Sequence, residues 1–240
     1  MASKSILNRR SLRPRSTPVS PLCAICGAIV LALFAVFPGT LSAGPSLSIS
    51  QVVLGFEARY RNVRTLEANF TQTSYAWGRA RVESGVVSFA RGGKMRWVYE
   101  KPEEKIFVSN GKQLLFYVPA EKQLTISSAR DAKDAQVPLE ILLGQLQLSK
   151  VFSRVEFANQ ALETPRGDRV IRGYPRLLYR RDYRSVLIDL TPEFDIRRLV
   201  IFYPDNSTMQ FAFSNIERNK PLPDSLFSFS PPPGANIIHQ

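Results

Sequence analysis

The chain has 240 residues, 22% of them charged and 44% hydrophobic, with a formal net charge of +12. That balance excludes a disordered chain, and the 17 prolines and 13 glycines punctuate short segments rather than long helices. One histidine and two cysteines leave almost no material for a metal centre or a thiol nucleophile.

The first segment reads as a leader. Lys4, Arg9, Arg10, Arg13 and Arg15 precede an apolar run of 16 residues, Leu22 to Phe37, and the small-residue stretch Pro38-Gly39-Thr40-Leu41-Ser42-Ala43. Basic, apolar and small residues in that order predict a secretory signal peptide over 1–43, cut after Ala43, with one domain over 44–240. The alternative is an uncleaved anchor, although the run is shorter than the roughly 20 apolar residues of a bilayer span. Neither Cys23 nor Cys26 follows a small residue, so no lipobox is formed. Removal of the five leader cations leaves the domain at +7 and without cysteine. A basic exported domain fits an acidic partner or an anionic surface, and export excludes nucleic acid.

Ser48 or Ser50 is placed to cap a helix running to about Val63. Its apolar residues Ile49, Val52, Val53, Phe56, Tyr60 and Val63 recur at helical spacing. Gly55 within it costs about 1 kcal/mol relative to Ala. Strands are then predicted at Leu66–Tyr75, Val82–Ala90, Lys94–Glu100, Lys105–Ser109, Gln113–Val118 and Gln123–Ser128. Gly92-Gly93, Pro102, Asn110-Gly111 and Pro119 reverse the chain between them. Pro138 opens a short apolar helix, Leu139 to Leu143, closed by Gly144. Strands resume at Phe152–Ala158, Arg169–Arg172, Arg176–Tyr179, Ser185–Leu190, Ile196–Tyr203 and Thr208–Arg218, the last two joined by a hairpin at Pro204 to Ser207. An extended tail, Phe227 to Ser230, stops at Pro231-Pro232-Pro233.

Many strands and two helices predict a mainly β open sandwich or barrel. Strand alternation puts Met209, Phe211 and Phe213 on one face, Met95, Trp97 and Tyr99 on another, with Val87 and Phe89 beside them. These faces make either a sealed core or a concave binding surface. Arg166 to Arg184, interleaved with Tyr174, Tyr179 and Tyr183, is either a solvated edge strand with its loop or a docking surface built on Arg172, Arg176, Arg180 and Arg181. No catalytic motif accompanies the sheet. His239 is the next-to-last residue, the pair Asp131 and Asp134 reads as a solvated loop, and no metal or cofactor site is expected.

Phe70 with Gln72, Gly85, Phe89 with Arg91, Trp97, Pro102, Val108-Ser109-Asn110-Gly111-Lys112 and Tyr117 with Pro119 follow one another in an order that resembles the periplasmic outer-membrane lipoprotein carriers, the LolA family. Pro138-Leu139 and Phe227 to Gly234 are similar to that family's central helix and its closing strand with a Pro-rich stop. The resemblance implies an incomplete antiparallel β-barrel of about eleven strands, with the N-terminal helix and the short central helical segment as a lid. It implies a monomeric periplasmic carrier without a cofactor, holding the acyl chains of lipoproteins between an inner-membrane ABC-type release complex and an outer-membrane acceptor. Lipid contacts are expected from Phe56, Tyr60 and Val63, from Leu139, Leu142 and Leu143, and from Phe89, Trp97, Met209, Phe211 and Phe213. Arg91 stands where the family has a lid-latching arginine; the other reading is an exposed turn residue. Gly92 replaces the proline common after it. Two other functions remain open on the residues: a carrier of another envelope lipid, and a periplasmic sensor or scaffold using the same sheet.

Overall fold

The computed structural model describes residues 47–128, 147–158, 164–165, 167–180 and 182–240. The leader, the central helix with Leu139, Leu142 and Leu143, and Arg166 and Arg181 lie outside them. Helix α1 (Ile49–Tyr60) starts at Ser48, whose Oγ accepts from the Gln51 N–H while Gln51 Oε1 accepts from the Ser48 N–H at 2.8 Å. This reciprocal box satisfies two otherwise unpaired donors and selects Ser48 over Ser50.

Twelve strands follow: β1 (Thr65–Ala76), β2 (Arg79–Ala90), β3 (Lys94–Lys101), β4 (Lys105–Asn110), β5 (Gln113–Val118), β6 (Gln123–Ser128), β7 (Phe152–Phe157), β8 (Arg169–Pro175), β9 (Ser185–Leu190), β10 (Ile196–Phe202), β11 (Thr208–Arg218) and β12 (Asn236–His239). A four-residue helix, α2 (Leu148–Val151), leads into β7. All twelve lie in one unclosed sheet, in the order β12-β6-β5-β4-β3-β2-β1-β11-β10-β9-β8-β7. The long hairpin β1–β2 sits at its middle, and β11 pairs back onto β1, joining the two halves of the chain. Every pairing is antiparallel except β12 on β6.

Three expectations are corrected. Arg176–Tyr179 is not a strand: the Arg176 N–H bonds Val151 O and its guanidinium bonds Ser149 O, steering the chain out of the sheet into a 3-10 turn at Leu177–Tyr179. The Arg-rich segment is not an edge, because β8 is flanked by β7 and β9. The tail from Phe227 to Ser230 does not close the sheet. Phe227 ends a 3-10 turn and is buried, Phe229 packs on Tyr117, and Arg96 donates to Leu226 O across the strands. The strand that does pair is β12, beyond the prolines, which lack the N–H a ladder needs.

The predicted alternation is present in the sheet. Val87, Phe89, Met95, Trp97, Phe211 and Phe213 are buried on one face, with Met209 and Tyr99 packed against them. A bulge between Glu67 and Asn69 shifts the β1–β11 register and brings Ile216 onto the same cluster. Gly55, a cost to the helix by itself, has a packing reason: a Cβ there would lie 2.5 Å from the end of the Phe194 ring. Gly55→Leu is therefore expected to destabilise the fold by about 1–3 kcal/mol, the usual cost of overpacking. Urea unfolding measures it; a midpoint raised by the better helix former would contradict this contact.

Candidate functional site

The concave face of the sheet and the inward face of α1 enclose one apolar cluster. Val52, Phe56 and Tyr60 of α1 are fully buried in it, with Val63 just beyond. Aromatic rings make its centre. Phe70 meets Trp97 edge-on at 4.8 Å and Tyr99 at 5.0 Å; Trp97 meets Phe89 at 5.6 Å and Phe211 at 5.3 Å. The structure thus brings together Phe56, Tyr60, Val63, Phe89, Trp97, Met209, Phe211 and Phe213, the described members of the expected lipid-contact set.

The interior becomes polar toward the β1–β2 turn. Gln72 and Glu83 are buried there, and the Tyr99 hydroxyl donates to Gln72 Oε1 at 2.9 Å. Lys105 pairs with Glu83, whose carboxylate also receives Arg81. Burial, and then the Glu83 charge, push the Tyr99 phenol above its ordinary range, so it stays protonated as a donor.

Helix α1 is held by few polar bonds, gathered at its C-terminal end. Arg91 Nε donates to Val63 O at 3.1 Å and its Nη2 to Arg61 O at 2.7 Å, while its own N–H bonds Arg64 O. One guanidinium thus satisfies two carbonyls where the helix ends. Asp195, in the turn after β9, accepts both Arg59 Nε and Nη2 at 2.9 Å and is bonded on both oxygens by Arg218 of β11. The Ile196 N–H donates to the Tyr60 hydroxyl at 3.0 Å, and burial pushes that phenol up to about 12. On the other side, Glu57 accepts from the Leu148 N–H at 2.9 Å, tying α1 to α2.

Sequence reading reached Arg91 but not Arg59, Asp195 or Arg218. A lone Asp after Phe194 carries no local signal, and only the fold brings it to a helix 136 residues earlier. The arginines of the predicted docking surface diverge. Arg172 stacks over Phe202 at 5.2 Å and Arg176 is spent on Ser149 O, whereas Arg180 is exposed. Among the described residues no group of three His, Cys, Asp or Glu side chains converges as metal ligands, and no helix is long and apolar enough to cross a membrane.

An unclosed antiparallel sheet folded around an apolar interior and roofed by a tethered helix defines a binding protein of the open half-barrel class. Its particular family follows from sequence. Residues 61–230 match the family described as outer membrane lipoprotein carrier protein LolA, and the chain belongs to that family. An outer-membrane lipoprotein carrier protein of Nitrosospira multiformis is 32% identical over 181 residues, covering 75% of this chain and 84% of the relative. One from Dechloromonas aromatica is 30% identical over 180 residues, covering 74% and 83%. In three dimensions the chain is similar to an uncharacterized conserved protein of Thermus thermophilus, with a TM-score of 0.50 and 13% identity over 81% of this chain and all of that one, a likeness of fold alone. Members of the family are carriers, and this chain is a binding protein and not an enzyme.

Proposed function

We propose that this protein is a soluble periplasmic carrier that takes the acyl chains of lipoproteins into its half-barrel and moves them from an inner-membrane release complex to an outer-membrane acceptor. The observation that carries the reading is the roof. The interior is covered by a helix whose apolar face contributes Val52, Phe56 and Tyr60 and whose polar tethers gather at one end. Lifting α1 uncovers about three large side chains, at roughly 1.5–3 kcal/mol each. An acyl chain of about 16 carbons returns about 0.8 kcal/mol for each buried CH₂, so a lipid offsets the opening and water does not. Membership in the lipoprotein carrier family supports this cargo class and this compartment, in accord with the basic, apolar leader.

Arg91 is the latch in this reading. Its two bonds to Val63 O and Arg61 O favour the closed state and so favour release. Leu139, Leu142 and Leu143, which lie outside the described residues, are the further lipid contacts this reading proposes. Arg91→Leu is expected to retain cargo more strongly than wild type, by about tenfold for two lost charge-assisted bonds. Native mass spectrometry of both proteins, purified from the periplasm of their own host, reads this directly. Acylated lipoprotein bound to both, and more of it on the variant, is the expected result. A small lipid in its place would keep the carrier and change the cargo, whereas two empty proteins under conditions that preserve lipid would overturn the reading.

A further inference from the structure

Two exposed apolar projections leave the sheet at the same end. Register places Tyr75, Thr208, Phe202 and Ser185 in one row across β1, β11, β10 and β9. The β1–β2 turn lies just beyond Tyr75, and the β8–β9 connection just beyond Ser185. In the first, Trp77 is 95% exposed; in the second, Leu177 and Leu178 are 79% and 81% exposed. Measured along the sheet, the two tips are four strand spacings apart, about 19 Å of curved path. The α1 tethers at Arg91 and Asp195 sit at the opposite end, where β2 and β9 finish.

Water gains nothing from these side chains, and the backbone does not demand them. Trp77 and Gly78 occupy left-handed conformations, with φ of 48° and 73°, as a two-residue hairpin turn requires. That conformation suits Asn or Gly at the first position and disfavours an aromatic residue. A Trp held there in solvent is a departure that points to use. Leu177 and Leu178 are adjacent in a 3-10 turn, so neither hides behind the other.

Cations stand beside both tips, and one exposed acid, Asp205, sits in the β10–β11 turn between them. Exposed Arg79 follows the Trp77-Gly78 turn. Within 176–184, Arg176, Arg180 and Arg184 outnumber Asp182 among the described residues. Beside the leucines, Tyr174, Pro175, Arg180, Tyr183 and Arg184 line an open hollow of about 270 Å³. Arg184 is steadied there by Asn206 Oδ1 at 2.7 Å, and the Tyr174 hydroxyl by Glu156 at 2.8 Å. Two guanidiniums at one recess, beside the rings of Tyr174 and Tyr183, offer donors that suit a phosphodiester.

We propose that this end of the sheet docks on an anionic phospholipid bilayer. Leu177, Leu178 and Trp77 enter the interface, and a phosphate headgroup occupies the hollow at Arg180 and Arg184. Separate apolar points on turn tips suit a fluid surface that closes around each of them, whereas a protein partner calls for one continuous patch. Arginine beside aliphatic and indole side chains is the pairing that anionic interfaces favour. The inference does not require the carrier reading, and its failure would leave that reading intact.

The chain contains two tryptophans, and Trp97 is buried, so fluorescence reports on Trp77. The protein, as its host exports it, is titrated with phosphatidylethanolamine vesicles containing phosphatidylglycerol, and with phosphatidylcholine vesicles. Emission is expected to move to shorter wavelength on the anionic vesicles only, and Trp77→Phe to abolish the shift. Leu177→Ser with Leu178→Ser is expected to lower partitioning in sedimentation at least tenfold, with an unchanged melting temperature. Arg180→Gln is expected to weaken binding several-fold and to reduce its salt dependence. Failure to bind anionic vesicles at low salt would overturn the proposal and turn attention to an acidic protein partner. Equal binding by the leucine variant would overturn it as well, since scattered surface charge would then account for adhesion.

Discussion

Gly85→Ala is expected to lower stability by about 3 kcal/mol or more, among the largest effects of adding one methyl group anywhere in the sheet. Gly85 lies in β2 where the register with β3 shifts, and there the neighbouring backbone comes unusually near. A Cβ would stand 1.8 Å from the Val98 carbonyl oxygen and 3.0 Å from Tyr99 Cα. Neither contact can be relieved by turning a side chain. The strands would have to part at a point that carries Trp97 and Tyr99 into the interior, so packing and ladder hydrogen bonds fail together. Calorimetry should show a fall in melting temperature of roughly 6–12 °C for a domain of this size. An unchanged midpoint would mean that β2 and β3 are farther apart than this geometry has them.

The second large effect is predicted at Asp195. Its carboxylate receives Arg59 from α1 and Arg218 from β11, both in two-point geometry. Removing it in Asp195→Ala leaves two guanidiniums facing each other and frees the helix end. The group is partly exposed, so solvent screening limits the loss to about 2 kcal/mol. Cargo retention should rise with the stability loss, as for Arg91→Leu, because both changes loosen the same end of α1.

The pH dependence has a definite sign. Burial acts to raise the Asp195 carboxyl, but hydrogen bonds from Arg59 and the charge and hydrogen bonds of Arg218 outweigh it and hold the group below its ordinary value. A carboxyl depressed on folding stabilises fully above its unfolded value, about 3.9, and loses that contribution as pH falls through the folded value. The stability difference between wild type and Asp195→Asn is therefore expected to be flat from neutrality to about pH 5 and to shrink below pH 4. Denaturant unfolding over pH 3 to 7 measures it. A difference that grows in acid would contradict the pairing.

Much of the fold was legible because its signals are local. The capping serine at 48 or 50, the Gly92-Gly93 and Asn110-Gly111 reversals and the alternation through Met95, Trp97 and Tyr99 each lie within a few residues. A strand's inward face needs no knowledge of its partner, so Phe89, Trp97, Phe211 and Phe213 could be placed on the interior from spacing alone. Resemblance to a family extended this to the half-barrel and to Arg91. Arg176–Tyr179 departs from its strand-like composition because the bonds that turn it aside come from Ser149 and Val151.

By itself, then, the sequence narrowed the helix start to two serines and determined nearly every strand, most of the turns and the apolar face. The tertiary structure alone decided which strands are neighbours and, with that, everything that depends on distance in space. Asp195 became a tether only when β9 and β10 delivered it to Arg59, and Gly55 became necessary only when Phe194 lay against it. Trp77 and Leu177 came to share one end only through a register that runs across five strands. Helix and strand preferences come from interactions over a few residues along the chain, whereas these features arise from pairings whose register, and whose bulge at Glu67 to Asn69, are set by the packing of the whole sheet.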